Sequence, residues 1–253
     1  MVKPSSEDIE EIAGKYPSIH PLVLESLKTP TIRPTVENYD HHLYMVLHFP
    51  ALVIKPSAPA TTIKFLGFKS TEGGAEKMVS NEIDFILMKD TLITVQYEDI
   101  PTVEGFLHEC EEKSVAERYG KTPVHLTYYL MRQLFAASLR ELDQIQTKID
   151  EVEEEAFEGR EKKMLEEVAL LKQKVLDFRR AVKPQQFTLE SLLSQGTNFY
   201  GESVKPFLTD LVGEYLKVWN LLENHKETLD ALYDTTNSLL AAKTNEVMRA
   251  FTI

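Results

Sequence analysis

The stretch SVKPFLTDLVGEYLKVWNLLENHKETLDALYDTTNSLLAAKTNEVMRAFTI, residues 203–253, reads as a single helix. Pro206 stands in its first turn, where a missing N–H is tolerated, and no proline follows it. Leu208, Leu211, Tyr215, Val218, Leu222, Leu229, Leu232, Leu240, Val247 and Phe251 recur at helical spacing and predict one apolar stripe. At about 1.5 Å per residue, roughly 50 residues span roughly 75 Å. That exceeds an ordinary globular helix and implies a coiled coil, a membrane connection or a repeat; the sequence holds no internal repeat. The last residues, Met248-Arg249-Ala250-Phe251-Thr252-Ile253, have no capping residue and no polar tail. The helix is therefore expected to run on into a further segment.

Upstream, Thr122-Pro123 is a helix start: a capping hydroxyl, then proline in the first turn. Leu126, Leu130, Leu134, Leu142, Ile145, Ile149 and Val152 form one stripe, and Met164, Val168, Leu171, Val175, Phe178 and Val182 form another, with Gly159 between. The pattern predicts a long antiparallel hairpin with a narrow apolar seam. Pro184 is expected to kink the second arm, and Gly196 and Gly201 to bracket a loop. From Asp150 to Glu158 there are six acids and no base, which is a solvated face or a cation-concentrating tip.

Before residue 122 the pattern changes to mixed α and β. Glu7–Leu27 reads as helix broken at Tyr16-Pro17. Leu43–Phe49, Thr62–Ser70, Ile83–Met88 and Leu92–Tyr97 read as strands, with turns at Glu72-Gly73-Gly74 and Lys89-Asp90-Thr91, and Pro101–Tyr119 as helix. The expected fold is α+β (α/β): an N-terminal α/β/α domain with a mixed sheet over 1–121, a helical hairpin over 122–202 and a stalk helix over 203–253.

The 253 residues are 43% hydrophobic and 27% charged, with a formal net charge of −12. This balance argues against nucleic acid and against an anionic membrane surface as partners, because both need clustered Lys and Arg. One cysteine, Cys110, excludes a disulfide framework or a multi-thiolate zinc site. The acidic start is no signal peptide, and no run of about 20 apolar residues spans a bilayer. Phosphate loops, nucleophile elbows and zinc-protease helices are absent from the sequence, so no enzyme is expected. Asp40-His41-His42 with His48 suggests zinc, but adjacent strand residues point to opposite faces.

Lys243 to Ile253 resembles the approach to the first membrane helix of the CorA magnesium and cobalt transporter family. Ile19-His20-Pro21-Leu22-Val23-Leu24-Glu25 with Arg33-Pro34 resembles its N-terminal block, Leu92-Ile93-Thr94-Val95 a core strand, and the hairpin with Arg179-Arg180 and Pro184 its paired helices beside the stalk. The resemblance implies a homopentamer whose five stalks surround an ion path for Mg²⁺ or Co²⁺. It implies a place on the cytoplasmic side of the inner (plasma) membrane, joined to it through C-terminal helices that this sequence lacks. It also implies regulatory Mg²⁺, or another divalent cation, between subunits. Glu25 and Asp210 match the family's acidic positions, while Ser26 stands where many members have Asp and Arg132 where some carry an acid. Asp234 matches a further acidic position on the stalk. Asn245, Met248 and Thr252, spaced by three and four, match the stripe lining the pore entrance. The alternatives are the zinc-transport branch of the family and a soluble coiled-coil scaffold.

Overall fold

The computed structural model describes residues 1–31, 33–54, 76–155 and 161–251. The strand expected over Thr62–Ser70, the turn at Glu72-Gly73-Gly74, Glu158, Gly159 and Thr252 lie outside the described residues.

Helix α1 (Ser6–Lys15) opens with a capping box: the Asp8 N–H donates to Ser5 Oγ at 3.2 Å, and the Ser5 N–H donates to the Asp8 carboxylate at 2.7 Å. It stops at Tyr16, as expected of a residue before proline. Helix α2 (Pro21–Ser26) is capped by His20, whose Nδ1 accepts the Leu22 N–H at 3.2 Å.

Strands β1 (Thr35–Tyr39), β2 (His42–Ile54), β3 (Glu76–Met88) and β4 (Leu92–Gln96) form a sheet in that order. All three ladders are antiparallel. Among the described residues, the parallel element expected of a mixed sheet reduces to the isolated bridge between Val2 and Gln96. β2 runs on through Pro50, past its expected end. The β1 ladder stops at Val46, so Pro50 lies where β2 is paired with β3 alone and a lost donor is tolerable.

Period-two alternation divides the strands between two cores. Leu43, Met45, Leu47, Phe85 and Leu87 face the long helices. Tyr44, Val46, Ile86, Met88 and Val95 face Ile9, Ile12, Val23 and Leu27 of the first helices and the residue after them. These are the expected α/β/α layers. Each fully buried aliphatic side chain contributes about 1.5–3 kcal/mol.

The helix expected over Pro101–Tyr119 divides into α3 (Pro101–Glu111) and α4 (Lys113–Tyr119) at the extended residue Glu112. The turn sets the Tyr119 ring between Phe106, at 5.9 Å, and Tyr129, at 4.0 Å. Helices α5 (Pro123–Glu155) and α6 (Glu161–Val182) form the hairpin arms, and Pro184 ends α6 and caps α7 (Gln185–Tyr200). The loop expected between Gly196 and Gly201 is helix up to Tyr200; only Gly201 leaves it, at φ 93°. Gly196 is buried, and a Cβ there would lie 2.7 Å from Leu208 Cδ1. Close helix packing overrides the weak helix propensity of glycine.

A 3₁₀ turn (Glu202–Val204) leads into α8 (Lys205–Phe251), which is 47 residues long. The hairpin is not sealed by its own seam alone. Leu142 and Ile149 of α5, Val175 and Phe178 of α6, and Tyr215 and Leu222 of α8 belong to one core. Arg179 pairs with Glu223 at 2.8 Å and Lys172 with Asp230 at 2.7 Å, so seven residues back along α6 match seven forward along α8. Each cation also lies over a ring of α8, Arg179 on Trp219 and Lys172 on Tyr233.

The last buried residue of α8 is Thr236. Leu240, Val247 and Phe251, expected to continue the buried stripe, do not do so within this chain; Phe251 is 86% exposed. Residues 237–251, roughly 22 Å of helix, project beyond the core. No described helix is long and apolar enough to cross a membrane.

Candidate metal site and stalk

Glu25 sits on α2, exposed, with its carboxylate on Lys28 Nζ at 2.6 Å. Asp210 sits one turn into α8, where the run of the stripe through Leu208 and Leu211 turns it outward. The Tyr128 hydroxyl donates to Asp210 Oδ2 at 2.8 Å. Arg132, one turn along α5 from Tyr128, donates to the same hydroxyl at 3.3 Å, and its Nε stands 3.9 Å from Asp210 Oδ2. The guanidinium also lies 5.5 Å from the Tyr128 ring centre. Asp210 thus already has a cation and a donor from α5. The side chain of Asp210 is 49% exposed and that of Arg132 48%, which leaves room for a hydrated ion.

Glu25 and Asp210 are not brought together within one chain. The helix of Glu25 packs on one face of the sheet and that of Asp210 belongs to the core on the other. One ion could reach both carboxylates only between two copies of the chain. Mg²⁺ suits such a place, because it keeps most of its waters and takes one or two carboxylates. Among the described residues, no group of three or more His, Cys, Asp or Glu could hold a metal within one chain.

Asp234, Asn245 and Met248 are exposed along one α8, Asp234 near the end of the core and the other two on the projecting part. Thr252 lies outside the described residues. The histidines are not gathered: His41 is exposed, whereas His42 is buried and stacked on Tyr39, which stacks on His20. Burial, then the nearby His20 and His41, pushes the His42 imidazole below its ordinary value. Cys110 is a half-buried helix residue.

A second polar constellation escaped the sequence reading. His48 and Glu82 are cross-strand partners in the β2–β3 ladder, both buried, with 3.2 Å between Nε2 and Oε2. The Thr31 N–H donates to Glu82 Oε1 at 2.9 Å, and His48 Nε2 lies 2.8 Å from the Thr31 carbonyl. Two residues on, Asp84 Oδ2 accepts the hydroxyls of Tyr44 at 3.2 Å and Tyr97 at 3.0 Å. Burial, then the charge of Glu82, pushes Asp84 up to about 7. Burial opposes charge on His48, but hydrogen bonds to Glu82 and the Thr31 carbonyl, with the charges of Glu82 and Asp84, raise it on balance. The alternation of Glu82 and Asp84 in an apolar strand was the available signal; only the register revealed His48 as their neighbour. Gln185 of α7 donates to the His48 carbonyl and, at 2.9 Å, to that of Ala181.

A two-core α/β layer joined to a helical hairpin, with one stalk helix outrunning its own core, defines the class: a body with a projecting stalk. The chain belongs to the family described as CorA-like Mg2+ transporter protein, whose model matches residues 1–253. It is 25% identical over 246 residues to the cobalt/magnesium transport protein CorA of Thermotoga maritima, a match that covers 97% of this chain and 64% of that protein. The chain thus spans just under two thirds of that relative's length. Its fold is similar to the complete CorA magnesium transporter of Methanocaldococcus jannaschii, with TM-score 0.75 and 17% identity, covering 99% of this chain and 72% of that one. It is also similar to the ZntB cytoplasmic domain of Vibrio parahaemolyticus, with TM-score 0.69 and 13% identity, covering 93% and 84%.

Proposed function

We propose that the chain is the cytosolic regulatory and ion-funnel domain of a homopentameric Mg²⁺/Co²⁺ channel of the inner membrane, in a longer protein that carries the spanning helices. The observation behind this reading is the stretch 237–251 of α8, which has no buried residue in its own chain. Copies of the stalk packed around an axis would cover Leu239, Val247 and Phe251. The same packing would align Asn245, Met248 and Thr252 on the ion path. An amide or hydroxyl there holds the water shell of a cation, and a ring of methionines narrows the path to an apolar constriction that gates by dewetting. Asp234 adds negative potential above them.

Glu25 of one copy and Asp210 of the next would hold a hydrated Mg²⁺ or other divalent ion at the subunit interface. Three units would divide the work: 1–121 and 122–202 carry the sensing surfaces, and 203–253 transmits to the membrane. The second reading is zinc transport, favoured by the similarity to a ZntB cytoplasmic domain.

The test is the mass of the chain by light scattering, in EDTA and then in Mg²⁺. A mass rising towards a pentamer only with Mg²⁺, and lost in both Glu25→Ala and Asp210→Ala, supports the interface sensor. A mass indifferent to Mg²⁺ overturns it. A response to Zn²⁺ but not Mg²⁺ selects the second reading.

A further inference from the structure

Residues 28–31, just after α2, are exposed, yet the backbone is held at Leu27 by the half-buried Tyr97 and at Thr31 by the buried His48 and Glu82. At Leu27 the carbonyl accepts the Tyr97 hydroxyl at 3.3 Å, and that hydroxyl also donates to Asp84. At Thr31 the N–H is bound by Glu82 and the carbonyl by His48. Backbone groups outside helices and strands need such partners, and here they are His48 of β2, Glu82 of β3 and Tyr97 just past β4, with Asp84 of β3 acting through the Tyr97 hydroxyl. A cleft of about 510 Å³, lined among others by Thr31, His48, Glu82 and Tyr97, opens beside them and admits water and protons.

We infer that His48, Glu82 and Asp84 form a proton-operated latch that holds residues 27–31 against the sheet and releases them when the cluster loses its protons. In the protonated state His48 is a cation between Glu82 and the Thr31 carbonyl, and Asp84 is neutral beside two tyrosine hydroxyls. Loss of those protons leaves two carboxylates on one face of β3, two residues apart, with a neutral imidazole. Like charges at that range in a buried place repel strongly. The other charges facing the cleft are already engaged: Glu98 pairs with Lys3 at 3.1 Å, and Asp177 with Arg180 at 2.7 Å. Neither pair supplies a replacement cation for Asp84.

Both shifts have the same sign. Asp84 and His48 are raised above their ordinary values, so each stabilises the closed state at low pH and ceases to do so as pH rises through its folded value. Release therefore falls near and above pH 7. Because residues 27–31 anchor the end of α2, the latch sets the freedom of Glu25. That consequence rests on the sensing role proposed for Glu25; the latch itself does not.

The experiment is hydrogen–deuterium exchange by mass spectrometry on the chain in EDTA, from about pH 6 to about pH 8.5, corrected for the pH dependence of the exchange chemistry. Protection of peptides covering 27–31 is expected to fall about tenfold between pH 7 and pH 8, one proton released per unit, while peptides of α5 and α8 keep theirs. Asp84→Asn, which keeps the shape and cannot ionise, is expected to show a clearly smaller fall, the part owed to His48 alone. Flat protection in the unaltered chain, or an undiminished fall in Asp84→Asn, overturns the latch. Where Asp84→Asn fails to fold by circular dichroism, Glu82→Gln takes its place: it removes the repulsion and must flatten the fall, and an unchanged fall overturns the latch equally. Working in EDTA separates this outcome from that of the metal sensor.

Discussion

If Asp210 takes a cation as proposed, Arg132 would compete with it, and removal of Arg132 is expected to strengthen Mg²⁺ binding. Arg132 Nε lies 3.9 Å from Asp210 Oδ2, and both side chains are about half exposed. At the dielectric of water, unit charges at about 4 Å interact by about 1 kcal/mol. A divalent ion bound to the same carboxylate, roughly 6 Å from the guanidinium, would meet a repulsion of about 1.4 kcal/mol, or about tenfold in affinity. At about 0.15 M salt the screening length is about 8 Å, which reduces the effect to about threefold. Arg132→Gln removes the charge and leaves the Tyr128–Asp210 hydrogen bond in place. The assay is a Mg²⁺ titration by calorimetry, with mass by light scattering, at low salt and at about 0.15 M salt. An unchanged or weaker affinity in Arg132→Gln, or a gain that does not shrink with salt, would refute the reasoning. No Mg²⁺ response in either protein would refute the site.

Asp84→Asn is expected to become more stabilising as pH rises. The folded carboxyl titrates at about 7 against an ordinary 3.8, so the unaltered chain loses about 2–3 kcal/mol from this group between pH 5 and pH 8, which the variant does not lose; urea denaturation at the two pH values measures the difference. Leu229→Ala, at a fully buried position of α8, is expected to cost about 2–5 kcal/mol through the cavity it leaves, read by the same method. Gly196→Leu forces a branched side chain into Leu208 and is expected to cost about 1–3 kcal/mol or more, seen as a fall in Tm. Val247→Ser, on the projecting helix, is expected to change the stability of a single chain by less than about 0.5 kcal/mol; a larger loss in dilute, metal-free protein would mean that residues 237–251 pack within the chain.

Local patterns proved readable where one element determined its own outcome. Thr122 with Pro123 marks a helix start that the structure confirms, because a cap is a contact between residues three apart; the Ser5–Asp8 capping box is as local, and the sequence reading did not use it. Pro184 marks the end of α6 for a similarly local reason. Gly196 suggests a loop in the sequence but sits in a helix, since its role is the approach of Leu208 from another helix. The break at Glu112 also gave no local sign; it positions Tyr119 against rings of α3 and α5. At the candidate site, the family resemblance pointed to Glu25 and Asp210, and spacing alone would not have done so. The pairing of Arg132 with Asp210 joins residues of two helices far apart in sequence. The His48–Glu82 pair depends on strand register, which alternation constrains but does not fix.

The sequence by itself determined the change from a mixed α and β region to long helices near residue 122, the layering of the first region, the length of the stalk and the absence of nucleic-acid-binding charge, but it missed strand β1 (Thr35–Tyr39). Each follows from periodicity, capping or composition, which are properties of neighbouring residues. Tertiary structure decided that α8 shares the hairpin's core, that burial along α8 ends at Thr236, that Glu25 and Asp210 lie on opposite sides of the sheet, and that His48 and Glu82 hold the Thr31 backbone beside Asp84 and Tyr97. Those facts depend on which distant surfaces meet. That choice is made by the packing of whole apolar faces and by the burial cost of unpaired polar groups, and no short window of sequence contains both sides of such a contact.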